Sequence, residues 1–313
     1  MDDDQPAPCA QYVKTEIPPA DLPATADRPA LASCNSEDLY FGFDHPANPA
    51  EARKCAYLER EAGKTVPDVV FGGSSLLAMI YANGKGAARN FDLALRFACE
   101  SGWSPAEKQG RFAHLLSLKQ ELWAGDDFNL CDDATSGFMQ GWCASLQEKF
   151  DVVARTRKLN SIIDKWNPDE RTAFKELQQA AAAFFDASSQ YEVDLSGTGR
   201  AAFEIEAHAA LDEDFVSAVE RFELGHLPTF SPDEFRQSDA KLNSVYAKIQ
   251  ATKPASEPIG SVTPEGVKTT ERLWLRYREA WVAFGQVKFP RVTKESWRTW
   301  LTEQRVKMLQ ALQ

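Results

Sequence analysis

Leu177-Gln178-Gln179-Ala180-Ala181-Ala182-Ala183-Phe184-Phe185-Asp186-Ala187 and Glu271-Arg272-Leu273-Trp274-Leu275-Arg276-Tyr277-Arg278-Glu279-Ala280-Trp281 are the stretches whose reading decides the fold. In the first, Phe174, Leu177, Ala181, Phe184 and Phe185 recur at helical spacing; in the second, Leu273, Trp274, Tyr277, Trp281 and Phe284 do. A Leu-Asn pair precedes each: Arg155-x-x-x-Leu159-Asn160 before the first and Asp239-x-x-Leu242-Asn243 before the second. Asn160 and Asn243 stand 83 residues apart and Ala187 and Ala280 stand 93 apart, so the second copy is about ten residues longer. The Pro254–Pro264 stretch accommodates the difference. The pattern predicts an all-α chain in which short helical-repeat hairpins are followed by an antiparallel helical bundle with an internal duplication.

Helix grammar supports this. Asn167-Pro168-Asp169-Glu170, Ser231-Pro232-Asp233-Glu234 and Thr263-Pro264-Glu265 each place a capping side chain, a proline in the first turn and acids against the helix dipole. Strand-like alternation is scarce.

The chain has 313 residues, 43% of them apolar and eight of them tryptophan, which is enough for two cored domains and excludes a largely disordered chain. A net charge of −11 argues against a nucleic-acid partner and suits a basic protein partner. No apolar run approaches the roughly 20 residues that span a bilayer.

Six cysteines stand at 9, 34, 55, 99, 131 and 143, with no Cys-x-x-Cys pair among them. An even count without zinc or redox spacing points to disulfides in an oxidising compartment, hence a periplasmic or secreted protein. Met1-Asp2-Asp3-Asp4 is acidic where a signal peptide would be basic, so the expectation is a mature form with an added Met1. Six cysteines allow fifteen connectivities. The expected pairs are Cys131–Cys143, across a short segment that folds back on itself, then Cys34–Cys55, with Cys9–Cys99 remaining.

Three regions are expected. Residues 1–33, with Pro6, Pro8, Pro18, Pro19, Pro23 and Pro29, read as an extended leader stapled to the body by Cys9. Residues 34–130 read as helical hairpins. Leu76 to Ala82 forms one helix ending at Asn83-Gly84, and Phe91 to Cys99 forms the next, with Leu93, Ala94, Phe97 and Ala98 on one face. A weaker copy lies upstream: Tyr40 and Tyr81 are 41 apart, and Ala52 and Ala94 are 42 apart. These residues resemble Sel-one-like repeats, relatives of the tetratricopeptide repeat, which implies protein–protein contact rather than catalysis.

The third region, 131–313, carries a second resemblance. Cys131-Asp132-Asp133-Ala134-Thr135 precedes Cys143 by 12 residues; a Leu-Asn helix follows, then Glu271-Arg272-x-Trp274-x-x-Tyr277-Arg278-x-Ala280. This order resembles the LprI-like lysozyme-inhibitor N-terminal domain family of small helical secreted proteins. Asp239, Leu242 and Asn243 match its first helix, and Arg272, Trp274, Tyr277, Arg278 and Glu279 match its second. The family's cysteine after Tyr-Arg-Asp is absent, and the cysteine pair precedes the first copy while the best helix motif lies in the second. Leu159 and Asn160, with the matching residues of the second copy, are expected to be structural: asparagine binding backbone, aromatics filling the core. The resemblance implies lysozyme inhibition; the expected function is a protein that occludes a basic cell-wall hydrolase with an acidic surface, lysozyme being one candidate and a toxin, with this chain as its immunity protein, another.

Catalytic chemistry is sought without success, so no enzyme and no cofactor are expected. The four histidines, 45, 114, 208 and 226, form no His-Glu-x-x-His motif. Glu204, His208 and Asp212 share a helix face, where a solvated charge stripe is the expected reading rather than a metal site. Gly197-Thr198-Gly199-Arg200-Ala201-Ala202 has the letters of a dinucleotide loop but no preceding strand, so it reads as a turn with Thr198 capping a helix. Asp126, Asp127, Asp132 and Asp133 are the candidate contacts for a basic partner. The alternative function is an envelope adaptor that binds another protein through its helical repeats without inhibiting a hydrolase.

Overall fold

Helix follows helix, and no strand occurs among the described residues. The computed structural model describes residues 9–43, 45–63, 70–251 and 260–313. Residues 1–8 of the leader, Pro6 and Pro8 among them, and 254–259 of the Pro254–Pro264 stretch lie outside these. The chain forms two compact units, Met1–Cys143 and Ala144–Gln313.

The first unit contains α1 (Asp27–Ala30), α2 (Ser36–Phe41), α3 (Pro49–Glu61), α4 (Gly73–Asn83), α5 (Phe91–Glu100) and α6 (Pro105–Gln120). From α2 to α6 each helix packs against the next, as hairpin repeats should. Asn35, Asn48, Asn90 and Ser104 cap α2, α3, α5 and α6 by accepting first-turn amide N–H groups. Helix α4 is apolar all round because it is buried all round: Leu76, Leu77, Ala78, Ile80, Tyr81 and Ala82 are fully enclosed. It ends at Gly84, whose φ of +68° only glycine adopts without strain. Leu93, Ala94, Phe97 and Ala98 of α5 are buried together as expected.

Buried glutamates join these helices. Glu59 accepts from the amide of Ser36 at 3.1 Å, the hydroxyl of Ser36 at 2.5 Å and the amide of Gly73 at 2.9 Å, so it sits at the positive ends of α2 and α4. Arg89 donates to the carbonyls of Ala82, Asn83, Trp123 and Ala124, tying the end of α4 to the loop after α6.

The leader departs from the extended form expected of it. Its described part holds short 3-10 turns at Cys9–Gln11 and Pro19–Asp21, then α1. It packs into the first unit: Tyr12 lies edge-on to Phe112, Tyr81 donates to Asp21 at 2.9 Å, and Arg96 donates to the carbonyl of Thr15. The reason is apolar: Cys9, Tyr12 and Leu31 are buried in the same unit.

Disulfides join Cys9 to Cys99, Cys34 to Cys55 and Cys131 to Cys143, the expected pairs. The segment Cys131–Cys143 groups with the first unit, so the division falls at 143/144 rather than at 130/131. Besides the disulfide, buried Glu107 of α6 holds it, accepting from the amides of Thr135 and Ser136 at 3.1 and 2.9 Å.

The division falls inside α7 (Gly137–Ile163). Beyond it lie α8 (Pro168–Tyr191), α9 (Arg200–Glu223), α10 (Pro232–Ala251), α11 (Pro264–Lys288) and α12 (Lys294–Gln310). The two helices quoted first, α8 and α11, form the most extensive pair; α9 packs on α8, and α12 packs on both α10 and α11. The expected caps form. Asn167 and Glu170 bond reciprocally, as do Ser231 and Glu234, and Thr263 accepts from Gly266.

An aromatic core fills the interior. Trp281 stacks on Trp297 at 6.1 Å, Phe184 on Tyr277 at 5.3 Å and Phe174 on Phe215 at 5.7 Å. Each such ring stabilises by about 2–3 kcal/mol through burial alone. Gly285 lets α11 meet α12 closely, since a Cβ there would lie 2.4 Å from the Trp297 ring. One charged cluster is enclosed with the rings: Arg305 donates through Nη1 and Nη2 to Glu192 at 2.7 and 2.6 Å and through Nε to Glu271 at 2.8 Å.

Candidate binding site

The family-motif residues divide by face. Leu159 packs against the core, and Leu242, Trp274 and Tyr277 are buried in it. Asn160, Asn243 and Arg272 are exposed. Neither asparagine side chain forms the backbone hydrogen bond expected of it. Asn243 instead donates to the Asp239 carboxylate one turn earlier, at 3.2 Å. A helix interior already satisfies its own backbone, which leaves an outward asparagine only side-chain partners. Asp239 lies 3.7 Å from Arg278, and that guanidinium covers the Trp274 ring at 5.2 Å. Asn243, Asp239, Arg278 and Trp274 thus form a chain that fixes α10 against α11.

The four acids proposed to contact a partner are mostly engaged inside the first unit. Asp126 pairs with Lys85 at 2.8 Å, Asp132 accepts from the amide of Asn129 at 3.0 Å, and Asp133 lies 3.2 Å from His114. Lys85 holds the Asp126 carboxyl below its ordinary value. A partner would compete with these contacts, which weakens the group as a docking surface.

A better acidic surface lies in the second unit. Ala144, Gln147, Glu148, Asp151 and Arg155 of α7 face Ile205, Glu206, Ala209, Ala210 and Glu213 of α9 across a groove of ≈490 Å³. A second hollow of ≈520 Å³ shares Glu148 and Ile205 with it and adds Asp186, Ser189, Gln190, Glu204 and His208. Arg155 is buried and bonds Glu148, whose other carboxylate oxygen is enclosed without a partner. Asp151 accepts from Gln147 at 2.9 Å. Among the described residues, Glu204 and Glu206 form no ion pair. Carboxylates therefore outnumber cations along the groove, and alanines at 144, 209 and 210 leave room between the helices.

His208 stands at one end of this surface. Its Nδ1 lies 3.1 Å from Asp212 and its Nε2 lies 3.1 Å from Asp186. The bond to Asp212, opposed by partial burial and aided by Asp186, raises its pKa above 6.5. Glu204 is not among its partners, and no group of three His, Cys, Asp or Glu side chains among the described residues is placed to hold a metal ion. Residues 197–199 form the expected turn, but the capping position before α9 is held by Gly199, and Thr198 makes no capping bond.

Helical spacing had placed Glu204, His208 and Asp212 on one face, but it had not singled out Glu206 and Glu213, which line the groove. That Glu148 and Asp151 stand opposite them was not legible, because it depends on how α7 lies along α9.

No protein-family model matches the chain, and no curated protein or solved structure matches it either. The LprI-like and Sel-one-like resemblances therefore rest on the motif residues alone.

Proposed function

We propose that this chain is a non-catalytic binding protein of an oxidising compartment, periplasmic or extracellular, that captures a basic protein through the acidic α7–α9 groove. The partner class proposed is a basic cell-wall hydrolase such as lysozyme, inhibited by occlusion. The observation that carries this reading is the surplus of carboxylates, Glu148, Asp151, Glu206 and Glu213 against Arg155, lining one groove of a chain with net charge −11. Such a field steers a cationic partner and aligns it before contact. Three disulfides fit the compartment, and no helix among the described residues is long and apolar enough to cross a membrane.

Two observations favour the groove over the repeats of the first unit. The leader already packs along α5 and α6, through Cys9–Cys99, Arg96 to Thr15 and Tyr12 on Phe112. The first-unit acids are also largely paired. An adaptor reading centred on the repeats would need that leader displaced.

The test is calorimetric titration with a basic lysozyme, coupled to a turbidity assay of cell-wall lysis. The parent chain is expected to bind stoichiometrically and to stop lysis. Glu206→Lys with Glu213→Lys is expected to weaken binding at least about tenfold, equivalent to about 1.4 kcal/mol, while Asp126→Lys with Asp127→Lys changes it little. Absence of binding, with lysis untouched, refutes the hydrolase reading.

A further inference from the structure

The second unit contains a cavity that the proposed function does not use. Between α9 and α12 lies a pocket of ≈430 Å³. Its floor is aromatic: Phe184 and Phe185 from α8, Phe215 from α9, Trp274 and Tyr277 from α11. Helix order explains it. Helices α8 and α11 pack against each other, α9 rides on α8 and α12 on α11, and the space over the central pair is left between the outer two. Trp300, which lines the pocket, packs on Phe222 at 4.9 Å, and Trp297 packs on the same ring at 5.0 Å.

Charge around this cavity selects an occupant. The Phe184 ring is already covered by Arg305 at 5.5 Å and the Trp274 ring by Arg278 at 5.2 Å. Two of the lining rings are thus already engaged by the protein's own cations, which lessens the draw on a cationic ligand. At the rim stand Arg221, Lys307 and Asp214, a surplus of positive charge in an acidic chain. Among the described residues none of these three forms an ion pair, whereas Arg305 below is neutralised by Glu192 and Glu271. Ser217 and Gln304 supply neutral polar groups beside them.

The geometry points to a binding site for a small amphipathic anion, an aromatic or aliphatic body carrying one carboxylate or sulfonate, with its apolar part on the Phe184–Phe215–Tyr277 floor and its charge between Arg221 and Lys307. The volume lies within the range of small-molecule sites, and the mix of an apolar lining with a few polar groups is their usual composition. The ligand proposed is a free solute rather than a membrane lipid, and the vesicle arm of the test below distinguishes the two.

The test uses the full oxidised chain with two probes, anilinonaphthalene sulfonate followed by fluorescence and dodecanoate as a competitor. Saturable one-to-one binding of the dye, displaced by dodecanoate, is expected. Arg221→Ala and Lys307→Ala are each expected to weaken it about tenfold, the loss of one charged hydrogen bond. Ala218→Phe, which fills the cavity, is expected to abolish it. Thermal unfolding of each variant separates loss of the site from loss of the fold; should Ala218→Phe fail to fold, Ser217→Phe at the rim replaces it. Absence of saturable binding overturns the assignment. So do equal affinity for dodecylamine, binding that survives the cavity-filling change, and binding to phosphatidylglycerol vesicles without binding of free dodecanoate. These readouts do not involve the α7–α9 groove, so failure here leaves the hydrolase-capture proposal standing, and the converse holds.

Discussion

Arg305 Nη2 lies 2.6 Å from Glu192 Oε1, although 113 residues separate them. The same guanidinium reaches Glu271, so one fully buried cation from α12 holds both the end of α8 and the middle of α11. Removing the charge while keeping the bulk leaves two enclosed carboxylates uncompensated. Arg305→Met is expected to destabilise the second unit by about 3–5 kcal/mol, measured by urea unfolding.

Within this cluster, burial raises the Glu271 carboxyl above 4.5, and the attraction of Arg305 offsets that only in part. A carboxyl whose folded pKa is raised favours folding most below its unfolded value, and stability is lost as pH rises from there through the folded value. Glu271→Gln keeps an acceptor for Arg305 without the ionisation. Above pH 4.5 the parent chain is therefore expected to lose stability more steeply than the variant, a difference that unfolding curves across pH will show.

The Glu107 carboxylate has the opposite sign. Burial acts to raise its pKa, but hydrogen bonds from the Ser136 amide and hydroxyl, the Thr135 amide and the Ser104 hydroxyl outweigh it and hold the group below 4.5. Its contribution is present above that value and is lost as pH falls through the lowered one. Glu107→Ala orphans the buried donors at the start of α7 and is expected to cost about 3 kcal/mol at neutral pH. Glu107→Gln is expected to converge with the parent in acid.

His208 is charge-stabilised by Asp212 first and Asp186 second, with Glu204 and Glu148 along the same hollow. A raised histidine pKa contributes stability that is full below 6.5 and fades as pH climbs through the folded value. His208→Gln is expected to lower stability by under about 1 kcal/mol below pH 6.5, since the ring is partly exposed, and to change nothing in alkaline solution. A titration of the ring protons by NMR checks the elevated value directly.

Every cysteine lies in Met1–Cys143 and none in Ala144–Gln313. Reduction is therefore expected to lower the unfolding transition of the first unit and leave that of the second in place. Replacing Cys9 and Cys99 by alanine opens a closure of 90 residues, at a cost of about 4 kcal/mol. Scanning calorimetry of oxidised, reduced and variant chains separates the two transitions.

Much of this was written in the chain itself. Helix spacing at Phe174–Phe185 and Leu273–Phe284, the capping residues before Pro168, Pro232 and Pro264, and Gly84 after Asn83 determined the all-α class, because each acts through a few neighbouring residues. Even cysteine usage pointed to the disulfides. What only the tertiary structure decided was partnership between distant groups. Sequence marked Asp126, Asp132 and Asp133 as free acids; the fold spends them on Lys85, Asn129 and His114. It read Asn243 as a backbone ligand, but the side chain faces outward to Asp239. It left 1–33 extended, whereas the apolar side chains of Tyr12 and Leu31 draw the described part into the first core. Both the α7–α9 groove and the aromatic cavity lie between helices, and a local period fixes which residues share a face but not which face another helix will cover.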